Sequence, residues 1–158
     1  MKEVFDGIRA NIGAENCCES CSRDGCRAFL EDVPRERIVV DADKAFEAHK
    51  APGKRCDFIL FVLEGGRKLV AVPVELKSGR VDVSDALEQL QGGAAFAERF
   101  APEASGAVCR PILFHGSAIH PKDRSTLNRG KIRFRGMDLT VKTSRCNRPR
   151  NLAIALEI

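Results

Sequence analysis

The sequence predicts an α/β fold, a mixed central β-sheet flanked by helices, in a single domain covering residues 1–158. Three observations carry this. Two long apolar runs, Cys56 to Leu63 and Lys68 to Lys77, are separated by Glu64-Gly65-Gly66-Arg67, which reads as a hairpin turn between buried strands. Between residues 85 and 100 the period changes, and Ala86, Leu87, Leu90, Ala94 and Ala97 form one helical stripe. A further apolar run, Val108 to His115, returns as a strand. With 158 residues, 44% hydrophobic and 30% charged, the chain suits one domain with a true core.

Residues 1–12 place Val4, Phe5, Ile8 and Ile12 at helical spacing, so a short amphipathic helix opens the chain. A cysteine-rich insert follows, with a helical turn expected over Arg27 to Leu30. Ile38-Val39-Val40 reads as a short strand and Asp43 to His49 as a short helix, broken by Ala51-Pro52-Gly53-Lys54. Asp82 and Ser84 are the candidate N-caps of the long helix Asp85 to Phe100, which stops before Pro102. Gly92-Gly93 inside it costs about 1 kcal/mol each relative to alanine, which implies close backbone packing. A β-rich tail pairs Lys131 to Phe134 with Leu139 to Thr143 around Gly136-Met137-Asp138.

Apolar runs such as Phe58 to Leu63 fall far short of the roughly 18 residues that cross a bilayer. MKEVFDGIRA lacks the apolar centre of a signal peptide, so a cytoplasmic protein is expected. Charge is uneven. The formal net charge is only +4, but residues 121–150 hold ten Lys or Arg against Asp123 and Asp138, an excess that suits a phosphate-rich partner or a solvated face. There is no Trp or Tyr, so contacts with nucleic acid should be mainly to phosphates rather than by stacking.

The returning strand ends in Val72-Pro73-Val74-Glu75-Leu76-Lys77-Ser78-Gly79. Alternation along a strand sends Val72, Val74 and Leu76 to one face and Glu75 and Lys77 to the other, so one face is expected to be core and the other to hold a carboxylate beside an amine. Asp57 opens the preceding strand, and the hairpin brings it to the same end as Glu75. Two converging carboxylates make a hard oxygen site suited to magnesium. With a lysine beside them, the fitting chemistry is metal-assisted attack of water on a phosphodiester.

At these residues the chain resembles the PD-(D/E)XK nuclease superfamily, the restriction-endonuclease-like fold shared with Holliday-junction resolvases and RecB-type exonucleases. The resemblance runs from Asp57 through Val74-Glu75-Leu76-Lys77 to Leu87-Glu88-Gln89-Leu90-Gln91. It implies that Asp57 and Glu75, with the backbone carbonyl of Leu76, hold magnesium or manganese, that Lys77 sits at the attacking water, and that Gln89 or Gln91 supports the site. An early acidic ligand falls to Glu47 first, with Glu3 and Glu15 as alternatives. The chain departs from the family pattern in three places: Cys56 stands where the motif has proline, Phe96 where RecB-like members place tyrosine, and Pro73 interrupts a central strand, where its missing N–H needs an unpaired position.

Cys17, Cys18, Cys21 and Cys26 fall within ten residues, a density that suits a zinc or iron–sulfur site as well as a loop of free thiols, with Cys146 as a distant further ligand. Cys56 and Cys109 read as core. His115 and His120 suit structural loop roles, with metal ligation or phosphate contact as alternatives, and Cys109 with His115 lacks the oriented third partner of a cysteine hydrolase. Lys131, Arg133 and Arg135 alternate with Ile132 and Phe134, and with Lys142, Arg145 and Arg148 they are the candidate nucleic-acid contacts. These readings converge on a metal-dependent nuclease acting on DNA rather than RNA. The alternative is a non-catalytic module of the same fold that binds nucleic acid or a partner protein, and a homo-oligomer fits either.

Overall fold

Residues 1–158 are described by a computed structural model. Helix α1 (Lys2–Ile12) leads to the short strands β1 (Cys17–Cys18), β2 (Cys21–Arg23) and β3 (Cys26–Ala28), then to β4 (Arg37–Asp41) and α2 (Ala42–His49). Strands β5 (Phe58–Glu64) and β6 (Lys68–Lys77) form the expected hairpin, and α3 (Val83–Phe100) crosses over to β7 (Val108–Cys109) and β8 (Ile112–His115). Helix α4 (Pro121–Arg129), strands β9 (Lys131–Phe134), β10 (Met137–Thr140) and β11 (Lys142–Arg145), and α5 (Asn151–Ala155) follow.

The central sheet has seven strands in the order β1-β4-β5-β6-β8-β11, with β7 also beside β6. Neighbours from β1 to β6 are antiparallel, whereas β7 and β8 join β6 in parallel and β11 joins β8 in parallel. The sheet is therefore mixed. A parallel neighbour needs a crossover, which α3 provides between β6 and β8. Both faces are buried. On one, Phe5, Phe46, Leu90 and Phe134 from the helices and β9 cover Ile59, Phe61, Leu69 and Leu113. On the other, the β2–β3 hairpin and α5 bring Cys21, Cys26 and Leu152 against Leu60, Val72, Val74 and Ile112. Each fully buried Phe or Leu contributes about 1.5–3 kcal/mol, so the two layers together fix the sheet between them.

The face of β6 that bears Glu75 is thus core as well, a correction to the expectation that only the Val72–Leu76 face is covered. Helix α3 roofs it closely. A Cβ on Gly92 would lie 1.7 Å from the Lys54 carbonyl oxygen, and one on Gly93 would lie 2.4 Å from Cys56 Sγ, which is why this helix carries two glycines. Asp82 caps it, accepting from Asp85 N–H at 3.1 Å. Pro73 also finds its place. The parallel neighbour of β6 is interrupted at Arg110–Pro111, between the pairs Ala71↔Cys109 and Val74↔Ile112, so the proline lies opposite the break.

Five elements differ from expectation. Arg27 to Leu30 is no helical turn, because Cys26–Ala28 pairs with Cys21–Arg23 as a separate antiparallel hairpin. The run Val108 to His115 is two strands, split by the proline. The tail strand expected over Leu139 to Thr143 divides at Val141: β10 pairs with β9, and β11 leaves it to extend the main sheet. Helices α4 and α5 lie where no helical stripe was visible. No helix is long and apolar enough to cross a membrane.

Candidate active site

Asp57 is held by its backbone before β5 begins. Its N–H donates to the Val74 carbonyl at 3.0 Å and its carbonyl accepts from Ala42 N–H at 3.2 Å. The pair Phe58↔Val74 then sets Asp57 across from Glu75 on the same face. Asp57 Oδ2 accepts the Leu76 N–H at 2.8 Å. Within an antiparallel ladder the N–H and C=O of one residue point to the same side, so the Leu76 carbonyl opens toward Asp57 too.

Glu75 is 1% exposed, and neither of its carboxylate oxygens has a hydrogen-bond partner. Lys77 Nζ stands 3.3 Å from Glu75 Oε2, poorly aligned for a hydrogen bond. Burial, and after it the neighbouring Asp57 carboxylate, push the Glu75 acid far above the usual carboxylate range, while Lys77 offsets part of the rise. A buried carboxylate without hydrogen bonds is costly to ionise, and the single Lys77 ammonium offsets only part of that cost.

Helix α3 supplies the roof of the site. Asp85 Oδ2 lies 4.0 Å from Lys77 Nζ, and Lys54 ties Asp85 to Glu88, 3.0 Å from the latter. Asp85, Gln89, Gly92 and Gly93 share one stripe of the helix, and the glycine end of that stripe touches Cys56 and Pro73. Gln89 therefore lies over the segment of β6 that bears Glu75, and its buried Oε1 also lacks a partner. Gln91 is turned away. It donates to the Arg133 carbonyl at 3.0 Å and accepts from Arg133 N–H at 2.7 Å, clamping β9 to the helix.

Arg23, at the end of β2, reaches the site from the other side of the sheet. Its guanidinium lies 3.6 Å from Asp57, 2.7 Å from Asp43 and 3.9 Å from Asp41, and it rests over the Phe58 ring at 5.2 Å. No sequence signal pointed to it. Asp85, by contrast, occupies the first turn of a helix that was expected.

Other candidate residues lie elsewhere. Glu47 is exposed and paired with Arg55 at 2.9 Å. The four clustered cysteines do not converge: Cys26 forms a disulfide with Cys146, Cys21 is fully buried, and Cys17 Sγ is engaged with the Gly13 carbonyl. With Cys26 paired to Cys146, the segment is neither four free thiols nor four sulfurs gathered at one point. The reason is the β2–β3 hairpin, which turns Cys21 and Cys26 into the core. Lys131 and Arg133 project outward from β9 as expected, but Lys131 is held by Thr140 Oγ1 and Arg133 by Asp138. Arg135 leaves the row altogether, donating to the Pro102 and Ala101 carbonyls at the end of α3. Lys142 pairs with Glu157, whereas Arg148 is exposed and Arg145 sits at the end of β11.

The residues present fit a hard divalent cation. Asp57, Glu75 and the Leu76 carbonyl could supply oxygens to it, and neither Glu75 oxygen has a hydrogen-bond partner, the Lys77 ammonium at 3.3 Å being its counter-charge. Magnesium retains several waters and commonly takes only one or two carboxylates, so this small set suffices. Fold and site together define an α/β protein with a buried two-carboxylate, one-lysine centre at the end of a central strand. Compared with family models, with curated proteins and with solved structures, the chain gives no match.

Proposed function

We propose that the chain is a magnesium- or manganese-dependent nuclease of the PD-(D/E)XK type, with a restriction-endonuclease-like core, that hydrolyses phosphodiester bonds of DNA. The observation that carries this reading is Glu75: a buried carboxylate without a hydrogen-bond partner, across from Asp57 and beside Lys77. Asp57, Glu75 and the Leu76 carbonyl would hold the ion, which when bound lowers the pKa of a coordinated water and screens the phosphate charge. Lys77, on the same face two residues on, orients the nucleophile and stabilises charge that develops on the phosphate. Gln89, with its unpartnered Oε1, is the supporting glutamine, and Asp85 holds the lysine from the helix side.

The test is cleavage of labelled single-stranded and double-stranded DNA and RNA with magnesium, with manganese and with chelator, beside Lys77→Ala. Metal-dependent cutting that is lost in the variant while the melting curve stays two-state supports the reading. Cutting that survives Lys77→Ala, or that persists in chelator, overturns it. One observation favours the non-catalytic alternative: the Arg23 guanidinium already neutralises Asp57 at 3.6 Å. Under that alternative the same panel yields binding without cutting.

A further inference from the structure

The parallel strands continue the row on which Lys77 stands. Register places His115 of β8 beside Lys77 and Arg145 of β11 beside His115, all on the face that carries Glu75. Helix α4 covers this end of the sheet through Leu127 and brings Arg124 to the same place, its Nη1 donating to Thr143 Oγ1 at 3.2 Å. Arg145 donates only to the Gly116 carbonyl, at 3.3 Å. Both guanidiniums are exposed, and both meet neutral oxygens instead of carboxylates. Arg23, Arg55, Arg110, Arg133 and Arg150 are each paired with an acid, and what distinguishes Arg124 and Arg145 among the remaining arginines is their place beside His115 at the end of the row from Lys77.

His115 lies between them. It is 6% exposed, and its Nδ1 meets the Ser117 carbonyl at 2.9 Å. A carbonyl can only accept, so Nδ1 carries the hydrogen and Nε2 is the free nitrogen. Burial first, and after it the positive charge of Arg145 and Arg124, hold this imidazole below its ordinary pKa, with the Ser117 carbonyl offsetting part of the shift. The two guanidiniums make a fixed pair of donors suited to a phosphate, and the neutral imidazole, whose free Nε2 can only accept, spaces them.

We propose that Arg124 and Arg145, with His115 between them as a spacer, form a subsite for a nucleic-acid backbone phosphate, next along the strand from the one handled at Glu75 and Lys77. The proposal rests on the nuclease reading for the position of the bond that is cut, and on the β6-β8-β11 register for the rest. Neighbouring strands stand about 4.8 Å apart, so the row from Lys77 to Arg145 is about 10 Å long, enough to meet successive phosphates of one strand crossing the end of the sheet. Stacking plays no part.

The experiment measures binding, not cutting. A fluorescein-labelled DNA oligonucleotide is titrated in chelator against wild type, Arg124→Ala, Arg145→Ala and the double variant over a range of salt, with Arg67→Ala, a matched charge loss at the opposite end of the β5–β6 hairpin, as control. Each subsite variant is expected to weaken binding about 3- to 10-fold at moderate salt and to lower the slope of log K against log[salt] by about 0.7–0.9. A series of oligonucleotides, each with one neutral methylphosphonate linkage, should include a position that weakens wild type but not the double variant, the signature of a direct contact. An unchanged slope in both variants, an equal loss in Arg67→Ala, no such position in the series, or a wild type that binds no oligonucleotide overturns the subsite. A wild type that binds through these residues but never cuts with magnesium or manganese leaves the subsite standing and removes the nuclease.

Discussion

Glu75→Gln tests the orphaned carboxylate while keeping its shape. In the fold, the Glu75 pKa is pushed up to about 9 from 4.5 by burial first and by Asp57 second. Between those two values the folded chain holds a proton that the unfolded chain has released, so stability falls as pH rises across the window, and below about pH 4.5 the effect vanishes. At pH 7, about 2.5 pH units above the unfolded value, the penalty is at most about 3 kcal/mol at ~1.4 kcal/mol per unit. Glutamine carries no charge and escapes it. In chelator at pH 7 the variant should therefore melt higher than wild type, by up to about 6–12 °C at the ~2–4 °C per kcal/mol of a chain this size. The gap should close on lowering the pH to 4.5. Magnesium or manganese should then raise the melting temperature of wild type and leave the variant unmoved, because binding to the folded state alone stabilises it by mass action. Thermal unfolding followed by circular dichroism from pH 4.5 to 8, with chelator and with each metal, reads all of this. A variant that melts no higher at pH 7, or that gains as much from metal as wild type does, refutes the reasoning.

The two helix glutamines should separate by readout. Gln89→Ala should lower kcat with little change in melting temperature, whereas Gln91→Ala should cost about 1–3 kcal/mol of stability by freeing the Arg133 amide and carbonyl, with kcat at low temperature retained; the opposite pattern would reassign the supporting residue. Gly92→Ala should destabilise by about 2 kcal/mol or more in denaturant unfolding even though alanine is the better helix former by about 1 kcal/mol, since its Cβ meets the Lys54 carbonyl oxygen at 1.7 Å. A neutral or stabilising result would mean that α3 does not sit this close. Arg23→Ala removes the cation that shares Asp57 and should lower the magnesium concentration needed for half-maximal activity several-fold, with the rate at saturating metal retained; a collapse of the saturated rate would mean that Arg23 serves the substrate instead.

What could be read from the sequence follows the range over which each feature is determined. The β5–β6 hairpin, the α3 stripe and the approach of Asp57 to Glu75 depend on 18 residues folded by one tight turn, and side-chain alternation then fixes which groups share a face. Gly92 and Gly93 were visible as a cost without a local benefit, and the benefit is their contact with Lys54 and Cys56. The cysteine-rich insert misled because thiol density is a local signal, whereas the partner of Cys26 lies 120 residues away. The same distance hides the hairpin's anchors. Asn147 and Asn151 bond to the backbone of Gly25, Arg27 and Phe29, so a strand pair that has no helical or strand period of its own is held by the opposite end of the chain.

The position of Arg23 follows from that anchoring. The hairpin β2–β3 is its own two-stranded sheet, and the disulfide, the two asparagines and the burial of Cys21, Cys26 and Ala28 seat it on the sheet face. Once seated, its β2 end overhangs the start of β5, where Asp41 and Asp43 from the β4–α2 junction meet Asp57. The acidic side of the centre is therefore assembled by antiparallel strands and the insert, while the basic side, Lys77 to His115 to Arg145, is assembled by parallel crossovers. Glu75 sits at the seam on β6, the strand at which the sheet changes direction. A strand with antiparallel neighbours on one side and parallel neighbours on the other brings groups from distant parts of the chain to one edge, and here it sets carboxylates on one side of Glu75 and cations on the other. That polarity is what a metal ion and the phosphate it activates require, since each then meets charge of the opposite sign within one strand spacing.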